Sequence, residues 1–299
     1  MIDHTYISKE GIALMVVSKY LMTTYLGARL RTIDTLSEEF EVSVGLIQKA
    51  FTTLEQSRAI QLSKQGRNGT FIQTLNYQEL IKFSGISHLV CAMPLPYIKH
   101  YEGLASGLRE QLSILPLYFA HMRGASARAE CLKAGVYNFV IMSKLAAQSL
   151  GKGLHKFIDL GVQSYSPEHK LIFRTGEYDK IKKVGVDPAS PDQKILTDKA
   201  FFGQNVETIE INYANSIQLL KSGYIDAVVW LPEAIDMQHA ELSEKSLSHI
   251  PECDMASQAV MLVSHQTPHV TEFLKKTLDI NRLLAHQRKV ICGEIIPSY

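Results

Sequence analysis

The sequence predicts an N-terminal winged helix-turn-helix, mostly α with a β-hairpin wing, followed by an α/β domain of two lobes. Three observations predict this organisation: helical hydrophobic spacing that ends in a hairpin pattern, an alternation of apolar strands and helices after it, and a second block of the same alternation. We place the winged domain at residues 1–75 and the α/β domain at residues 76–299.

Composition limits the possible classes of protein. The chain has 299 residues, of which 46% are hydrophobic, enough for two or three compact units. A formal net charge of +1 means that any affinity for nucleic acid must come from a local cluster of Lys and Arg. The apolar stretch Ile12 to Val17 is too short to span a bilayer and lacks the basic flank of a signal peptide. We therefore expect a cytoplasmic protein without membrane contact.

Cysteine spacing adds to this expectation. The four cysteines are far apart and show no paired spacing, which argues against a disulfide framework and a zinc knuckle. A reducing compartment fits that pattern. The cysteines are Cys91, Cys131, Cys253 and Cys292.

Hydrophobic spacing predicts three helices at the start of the chain. The first lies between Gly11 and Leu26, and the second runs from Thr35 to Phe40, with Asp34 or Thr35 as its cap. Ser43 is a good N-cap for the third helix, because apolar residues follow it at i, i+3, i+4 and i+7. Those core-facing residues are Ile47, Ala50, Phe51 and Leu54. A helix entered through a tight turn from a short preceding helix is a candidate recognition helix.

The predicted DNA contacts come from this helix and from a hairpin after it. Ala59 to Ser63 and Thr70 to Gln73 alternate like strands around a basic, glycine-rich loop. If the helix lies in the major groove, the loop lies beside the phosphate backbone. The candidate DNA-binding residues are Ser43, Val44, Gln48, Lys49, Thr52, Lys64, Arg67 and Asn68.

The first quarter of the chain resembles the GntR family of winged-helix regulators. The resemblance rests on Gly27-Ala28-Arg29-Leu30, on Val42-Ser43, on Ala50 and Leu54, and on the wing Gly66 to Ile72. It implies a DNA-binding domain. The sequence departs from the family at Arg31-Thr32-Ile33, where Pro-Ser-Glu is usual, and at Val44 and Gln48, where two arginines commonly contact DNA. A winged helix used only for protein contacts or dimerisation is the alternative.

After the wing, two blocks of apolar strands and helices predict parallel-sheet architecture. In the first block, strands and helices alternate over Leu89–Met93, Tyr97–Leu112, Leu117–Ala120, Ser126–Ala134 and Tyr137–Met142. In the second block they alternate over Lys183–Asp187, Pro191–Phe201, Val206–Ile211, Ser216–Lys221 and Ile225–Trp230. Two such blocks in one chain indicate two lobes.

This arrangement resembles the bilobal fold of type II periplasmic binding proteins, which also serves as the effector domain of LysR-type regulators. The resemblance rests on a strand ending in Val186-Asp187, a strand ending near Asn212-Tyr213, and a helix followed by Gly223-Tyr224-Ile225-Asp226-Ala227. It implies crossings between lobes near Leu171–Tyr178 and Ala256–Val263. Over its whole length the chain resembles the YhfZ family, a resemblance that names no ligand.

The lobe limits follow from that fold. Lobe one is expected at about 84–172 and 257–299, with Phe273 to Arg288 as its closing helix, and lobe two at about 179–255. Ligands of open α/β sheets lie beyond the carboxyl ends of the strands and at helix N-termini. The candidate ligand-binding residues are Pro94, Tyr97, Arg123, Ser126, Ser143, Asp187, Ser190, Asn212, Asn215 and Glu233.

Arg123 is the most informative of these, since an arginine before Gly-Ala-Ser at a helix start could hold a carboxylate or phosphate with two hydrogen bonds. A surface arginine near a helix cap is the alternative. Trp230, the only tryptophan, fits core or hinge packing better than a stacking platform.

The sequence shows no pattern of catalytic, metal or cofactor chemistry. His265 and His269 have the i, i+4 spacing of a helical metal pair, but Pro268 interrupts the helix between them. Neither a Gly-x-Ser-x-Gly elbow nor a phosphate-loop frame is present. We therefore predict no catalytic residue, no metal and no cofactor.

The sequence predicts a homodimeric, non-enzymatic regulator that binds a double-stranded DNA operator and a small, anionic effector. A bilobal binding protein or enzyme that uses the winged helix for oligomerisation is the alternative.

Overall fold

The computed structural model describes residues 7–150, 153–231 and 241–299. The chain forms two compact units. The head unit comprises Met1–Leu89, Leu112–Pro116 and Gln266–Leu278, and the cleft unit comprises Val90–Gln111, Leu117–His265 and Asp279–Tyr299. Among the described residues, no helix has the length and apolar character needed to cross a membrane.

The head unit contains the predicted winged helix-turn-helix. Elements are numbered in chain order, and this part consists of α1 (Lys9–Met22), α2 (Ile33–Phe40), α3 (Val44–Gln56), β1 (Ile60–Lys64) and β2 (Thr70–Leu75). The two strands pair antiparallel, with Lys64 opposite Thr70. This confirms the fold expected from hydrophobic spacing.

Local hydrogen bonds set the ends of these helices differently from prediction. The first helix ends at Met22 rather than near Leu26, and the Thr23 and Thr24 hydroxyls donate back to the carbonyls of Tyr20 and Leu21. The second begins at Ile33, because the Thr32 hydroxyl accepts from the Thr35 amide at 3.2 Å. The expected cap at Asp34 or Thr35 is therefore wrong.

Two further helices complete the head unit. They are α4 (Tyr77–Phe83) and α11 (Pro268–Thr277), and both contact α1. The buried Ser18 hydroxyl of α1 donates to the Leu80 carbonyl of α4 at 2.5 Å. The compact unit is thus larger than the predicted residues 1–75, since it takes one helix from far along the chain.

The wing turn depends on glycine. Gly66–Asn68 forms one turn of 3-10 helix, and Gly69 has φ +95°, a left-handed region that disfavours a side chain. A Cβ at Gly69 would lie 2.7 Å from Nε of Arg29, and Arg29 pairs with Phe71 as an isolated bridge. The Arg29 side chain therefore lies against the wing.

The first lobe of the cleft unit is built on a five-stranded sheet of order β4-β3-β5-β12-β6. Its strands are β3 (Leu89–Met93), β4 (Leu117–His121), β5 (Phe139–Ser143), β6 (Leu154–Asp159) and β12 (Ala259–Ser264). Its helices are α5 (Lys99–Gln111), α6 (Ala125–Lys133), α7 (Lys144–Leu150) and α12 (Ile280–Ile291). Strands β3 and β5 pair in parallel, as predicted. Strand β12 runs antiparallel to both of its neighbours, β5 and β6, so the sheet is mixed.

The second lobe has a five-stranded sheet of order β11-β7-β10-β8-β9. Its strands are β7 (Lys170–Arg174), β8 (Lys183–Val186), β9 (Glu207–Glu210), β10 (Ala227–Trp230) and β11 (Leu242–Ser246), and its helices are α8 (Pro191–Ala200), α9 (Ser216–Lys221) and α10 (Pro251–Ser257). The first crossing expected near Leu171–Tyr178 is placed too late, because β7 already belongs to this sheet.

The single closing helix expected from Phe273 to Arg288 is also wrong. The chain breaks at Leu278-Asp279, and the Asp279 carboxylate accepts from the Arg282 amide at 3.0 Å to start α12. Within the cleft unit, α12 packs closely on α5: a Cβ on Gly107 would lie 2.7 Å from Cδ1 of Leu283. Pro268 is the first residue of α11, so His265 precedes the helix that contains His269.

Candidate nucleic-acid interface and ligand cleft

Helix α3, the predicted recognition helix, has an apolar face and a polar face. Ile47 and Leu54 are fully buried, whereas the five predicted contact residues are exposed. Those residues are Ser43, Val44, Gln48, Lys49 and Thr52. Ser43 occupies the N-cap position as predicted, but its hydroxyl makes no capping bond.

The polar side chains of this helix have little structural role. Lys49 Nζ forms an exposed ion pair with Glu10 Oε2 at 2.8 Å, and such pairs contribute little to stability. The Thr52 hydroxyl donates to the Gln48 carbonyl at 3.0 Å. These groups can therefore change partner when a nucleic acid approaches.

The wing carries the second group of predicted contacts. Lys64, Arg67 and Asn68 are exposed, and neither cation forms an ion pair within the described part of the chain. Sequence reasoning did not select Arg29, although it is exposed and lies against Gly69. Arg29 is placed beside the wing by its isolated β-bridge to Phe71. This contact is between distant residues, so hydrophobic spacing along the sequence does not predict it.

The two lobes of the cleft unit enclose a cavity of about 270 Å³. Side chains from both lobes line it, and they combine apolar surface with two cations. Its aromatic and basic lining residues are Tyr97, Tyr101, Tyr165, Tyr213, Trp230, Arg123 and Arg128.

The aromatic rings form contacts within and across the lobes. Tyr213 stacks on Trp230 with ring centroids 3.7 Å apart and an interplanar angle of 15°. Tyr97 of the first lobe faces Tyr213 of the second at 6.5 Å and 30°. Burial raises the pKa of the Tyr101 and Tyr165 hydroxyls, which therefore stay protonated and neutral at physiological pH.

The two arginines differ in burial. Arg123 is partly exposed, and its guanidinium donates to Asn212 Oδ1 in the second lobe and to the Tyr97 hydroxyl at 3.4 Å. Arg128 is only 3% exposed and donates to the Met122 carbonyl at 2.7 Å and to the Tyr165 hydroxyl at 3.4 Å. Its Nε is buried with no hydrogen-bond partner among the described residues.

A buried carboxylate joins the lobes beside the cavity. Asp192, in the first turn of α8, accepts from the Ser143 hydroxyl at 2.7 Å, at the end of β5. Burial raises the pKa of Asp192 to about 6, and the Ser143 hydrogen bond and the Arg128 charge partly oppose this rise. The Ser143 hydroxyl is thus engaged in the contact between lobes.

Five of the predicted ligand-binding residues line the cavity: Pro94, Tyr97, Arg123, Asp187 and Ser190. Asp187 accepts from the Ala189 amide at 2.8 Å and from the Tyr213 amide at 2.9 Å. The Ser190 hydroxyl caps α8.

The other predicted residues have different places. Asn212 lines a shallow neighbouring cavity and accepts from Arg123. Ser126, Ser143 and Asn215 do not line the main cavity, and Glu233 lies outside the described residues.

Sequence reasoning missed most of the aromatic wall. Trp230 is buried, as expected, but it also stacks on Tyr213 and lines the cavity. Its position at a strand end was the available signal for this role. Arg128 lies inside a predicted helix, and nothing in its spacing distinguished it from a surface arginine.

The fold and the cleft define a helix-turn-helix protein joined to a bilobal domain of the binding-protein type. Residues 25–72 match a helix-turn-helix domain family, and residues 76–299 match the YhfZ C-terminal domain family. YhfZ of Escherichia coli (strain K12) is 43% identical over 298 residues, which cover 99% of both chains. The chain belongs to the YhfZ family.

Solved structures agree with this assignment. The crystal structure of YhfZ from Shigella flexneri matches with a TM-score of 0.67 and 41% identity, covering 75% of this chain and 98% of that one. The amino acid transporter substrate-binding protein AbpA from Streptococcus pneumoniae, bound to L-arginine, matches with a TM-score of 0.52 and 19% identity, covering 69% and 94%. The latter similarity confirms the predicted bilobal fold.

Proposed function

We propose that the protein is a DNA-binding transcription regulator whose cleft binds a small anionic effector. The observation that carries the proposal is the presence, in one chain, of an exposed polar face on a helix-turn-helix and an enclosed cavity containing two arginines. Exposed polar groups without structural roles suit nucleic-acid contact, and arginines in an enclosed cavity suit an anion.

On DNA, α3 lies in the major groove and the wing lies along the backbone. Gln48 can pair with the edge of an adenine through two hydrogen bonds, and Val44 can contact a thymine methyl group. Lys64, Arg67 and Asn68 contact phosphates. The absence of arginine at positions 44 and 48 therefore favours A·T pairs over guanine at these contacts.

A charge-reversal experiment tests the DNA-binding part. Lys64→Glu with Arg67→Glu should abolish salt-dependent binding to fragments of the source genome, measured by fluorescence anisotropy. The matched control, Lys180→Glu with Lys182→Glu, makes the same charge change on exposed residues of the cleft unit and should bind almost as wild type. If wild type shows no salt-dependent binding, the alternative of a winged helix used for oligomerisation replaces the regulator.

In the cleft, a ligand that touches both lobes favours the closed arrangement by its differential affinity. The head unit contains α11, which the chain joins at one end to β12 and at the other to α12, both elements of the cleft unit. Closure can therefore change DNA affinity, and DNA must change ligand affinity by the same factor.

We further propose that the protein acts in the cytoplasm as a homodimer, because one small winged helix binds DNA weakly and paired heads read two half-sites. Sedimentation at micromolar concentration should show a dimer. Monomer alone, both with and without DNA, would contradict this part.

A further inference from the structure

Two buried donors in the cleft have no acceptor. Nε of Arg128 and Nε1 of Trp230 are both buried, and neither has a hydrogen-bond partner among the described residues. Arg128 and Trp230 line the same cavity. Guanidinium and indole nitrogens can only donate, and buried polar groups are nearly always hydrogen-bonded. An occupant with acceptor atoms suits side chains of this kind, and the Arg128 charge favours an anion.

The charges of the cavity wall do not suit an ammonium group. Arg123 and Arg128 contribute two positive charges, and Asp187 is the acidic side chain among the described lining residues. Both carboxylate oxygens of Asp187 already accept backbone amide hydrogen bonds. Asp192 is buried, does not line the cavity, and accepts a hydrogen bond from Ser143. Among the described lining residues, no carboxylate is left free to pair with the ammonium group of a zwitterion, and burying an unpaired ammonium is costly.

The rest of the wall fits a flat apolar body. Tyr97 and Tyr213 face each other across the cleft with centroids 6.5 Å apart. A ring held between two aromatic faces needs about 7 Å, two carbon contact distances, so a small opening of the lobes would admit one. A cavity of about 270 Å³ is at the small end for ligand sites, which limits the occupant to one ring with a short substituent.

We propose that the cleft binds an aromatic carboxylate without an ammonium group, its carboxylate on the guanidinium of Arg128 and its ring between Tyr97 and Tyr213; this rests on the proposed function and names the class of its effector. Arg128 is the principal anion partner. Arg123, which is partly exposed and already donates to Asn212 and Tyr97, closes the mouth of the cleft.

The single tryptophan provides the assay. Trp230 is the only tryptophan of the chain, so its intrinsic fluorescence reports on this cavity alone. Phenylacetate should give a saturable change. Phenylglycine, which is phenylacetate with an ammonium group on the α-carbon, should bind at least tenfold more weakly. Acetate, which lacks the ring, and phenethylamine, which lacks the carboxylate, should give no saturable change over the same concentrations.

Arginine variants test the assigned roles. Arg128→Met should weaken phenylacetate binding about thirtyfold, and Arg128→Lys at least tenfold, because lysine lacks the forked donors. The matched variant Arg123→Lys should lose no more than about threefold, since an exposed cation is screened by water. Thermal unfolding checks that each variant is folded. If Arg128→Met does not fold, the ligand series on the wild-type protein decides the question.

Three outcomes overturn the proposal. They are phenylglycine binding as tightly as phenylacetate, acetate binding as tightly as phenylacetate, and no saturable response to phenylacetate or benzoate up to about 10 mM, beyond which binding is too weak to be specific. None of these measurements involves DNA. If an amino acid binds the cleft and changes DNA affinity, the proposed ligand class is wrong but the proposed regulator function stands. If phenylacetate binds but the protein has no affinity for DNA, the ligand class stands and the regulator function is wrong.

Discussion

The predicted DNA-binding surface and the cleft differ in the exposure of their charged groups. On the head unit, Lys64 and Arg67 are exposed and form no ion pair within the described part of the chain. In the cleft unit, Arg128 and Asp192 are buried and interact with each other. Exposed charges are screened by salt, whereas burial raises the pKa of the Asp192 carboxyl group. The head should therefore respond to ionic strength, and the cleft to pH and to ligand.

The largest expected effect is the pH dependence of Asp192. Its pKa is raised from 3.8 to about 6 in the folded protein, so the folded state binds more protons than the unfolded state between these values. The free energy of unfolding therefore falls as pH rises through this window, by about 3 kcal/mol in total and about 2 kcal/mol between pH 4.5 and 7.5. Asp192→Asn should lack this contribution, as measured by urea unfolding of both proteins.

The difference between wild type and variant isolates Asp192. Burial lowers the pKa of His169 and His269 to about 4, so these residues add stability as pH rises from about 4 to 6.5, with the opposite sign. Both proteins share that contribution. Asp198→Asn, at an exposed carboxylate of the same helix, is the control and should follow wild type. A pH-independent difference for Asp192→Asn would show that the carboxylate between the lobes does not titrate as inferred.

The wing should show the next largest effect, on salt dependence. Lys64→Ala with Arg67→Ala removes two phosphate contacts, so the slope of log K against log salt should fall by about 1.8. Binding should weaken by about 1.5 kcal/mol, roughly tenfold, on every DNA sequence alike. A salt titration by anisotropy measures both quantities. An unchanged slope would mean that the wing does not lie on the phosphates.

The same contrast explains which features the sequence could predict. The face of α3 follows from local spacing, since Ile47, Ala50 and Leu54 fix which side of the helix is buried, and Gln48 must then point outward. The cleft depends on tertiary structure instead. Tyr97, Arg128 and Trp230 come from separate segments, and no period relates them.

Strand ends located only part of the cleft. That rule finds Arg123 and Asp187, which lie beside the ends of strands. It misses Arg128, which lies within α6, and Tyr165, which lies in the segment that joins β6 to β7. The place of α11 in the head unit was equally inaccessible, because the contact of α1 with a helix from the other end of the chain leaves no local pattern.

Substitution of Arg123 should have a smaller effect than substitution of the buried Arg128 or Asp192. It is partly exposed, and Arg123→Ala removes its hydrogen bonds to Asn212 and Tyr97, so we expect a loss of about 1 kcal/mol in effector affinity. Asn212→Ala should cost a similar amount, and the double variant should lose less than the sum because the two residues share one contact. Calorimetry with phenylacetate measures the cycle. Strict additivity would show that Arg123 acts on the ligand independently of Asn212.

The smallest change in overall affinity is expected at Gln48. Its amide is exposed on α3 and carries no charge, so Gln48→Ala should leave binding to random-sequence DNA within about 0.5 kcal/mol of wild type and should not alter the salt slope. The preference for one DNA sequence over another is a separate quantity from overall affinity. If Gln48 pairs with an adenine edge, its loss should remove about 1 kcal/mol or more of preference at one base pair of each half-site. Selection of DNA sequences by both proteins, followed by affinity measurements on single-base variants, measures this preference directly. Gln56→Ala, the same substitution at the exposed last residue of α3 and outside the predicted contacts, is the matched control. A Gln48 variant that weakens all sequences equally would place this residue on the backbone, and the separation of sequence reading by α3 from backbone contact by the wing would then fail.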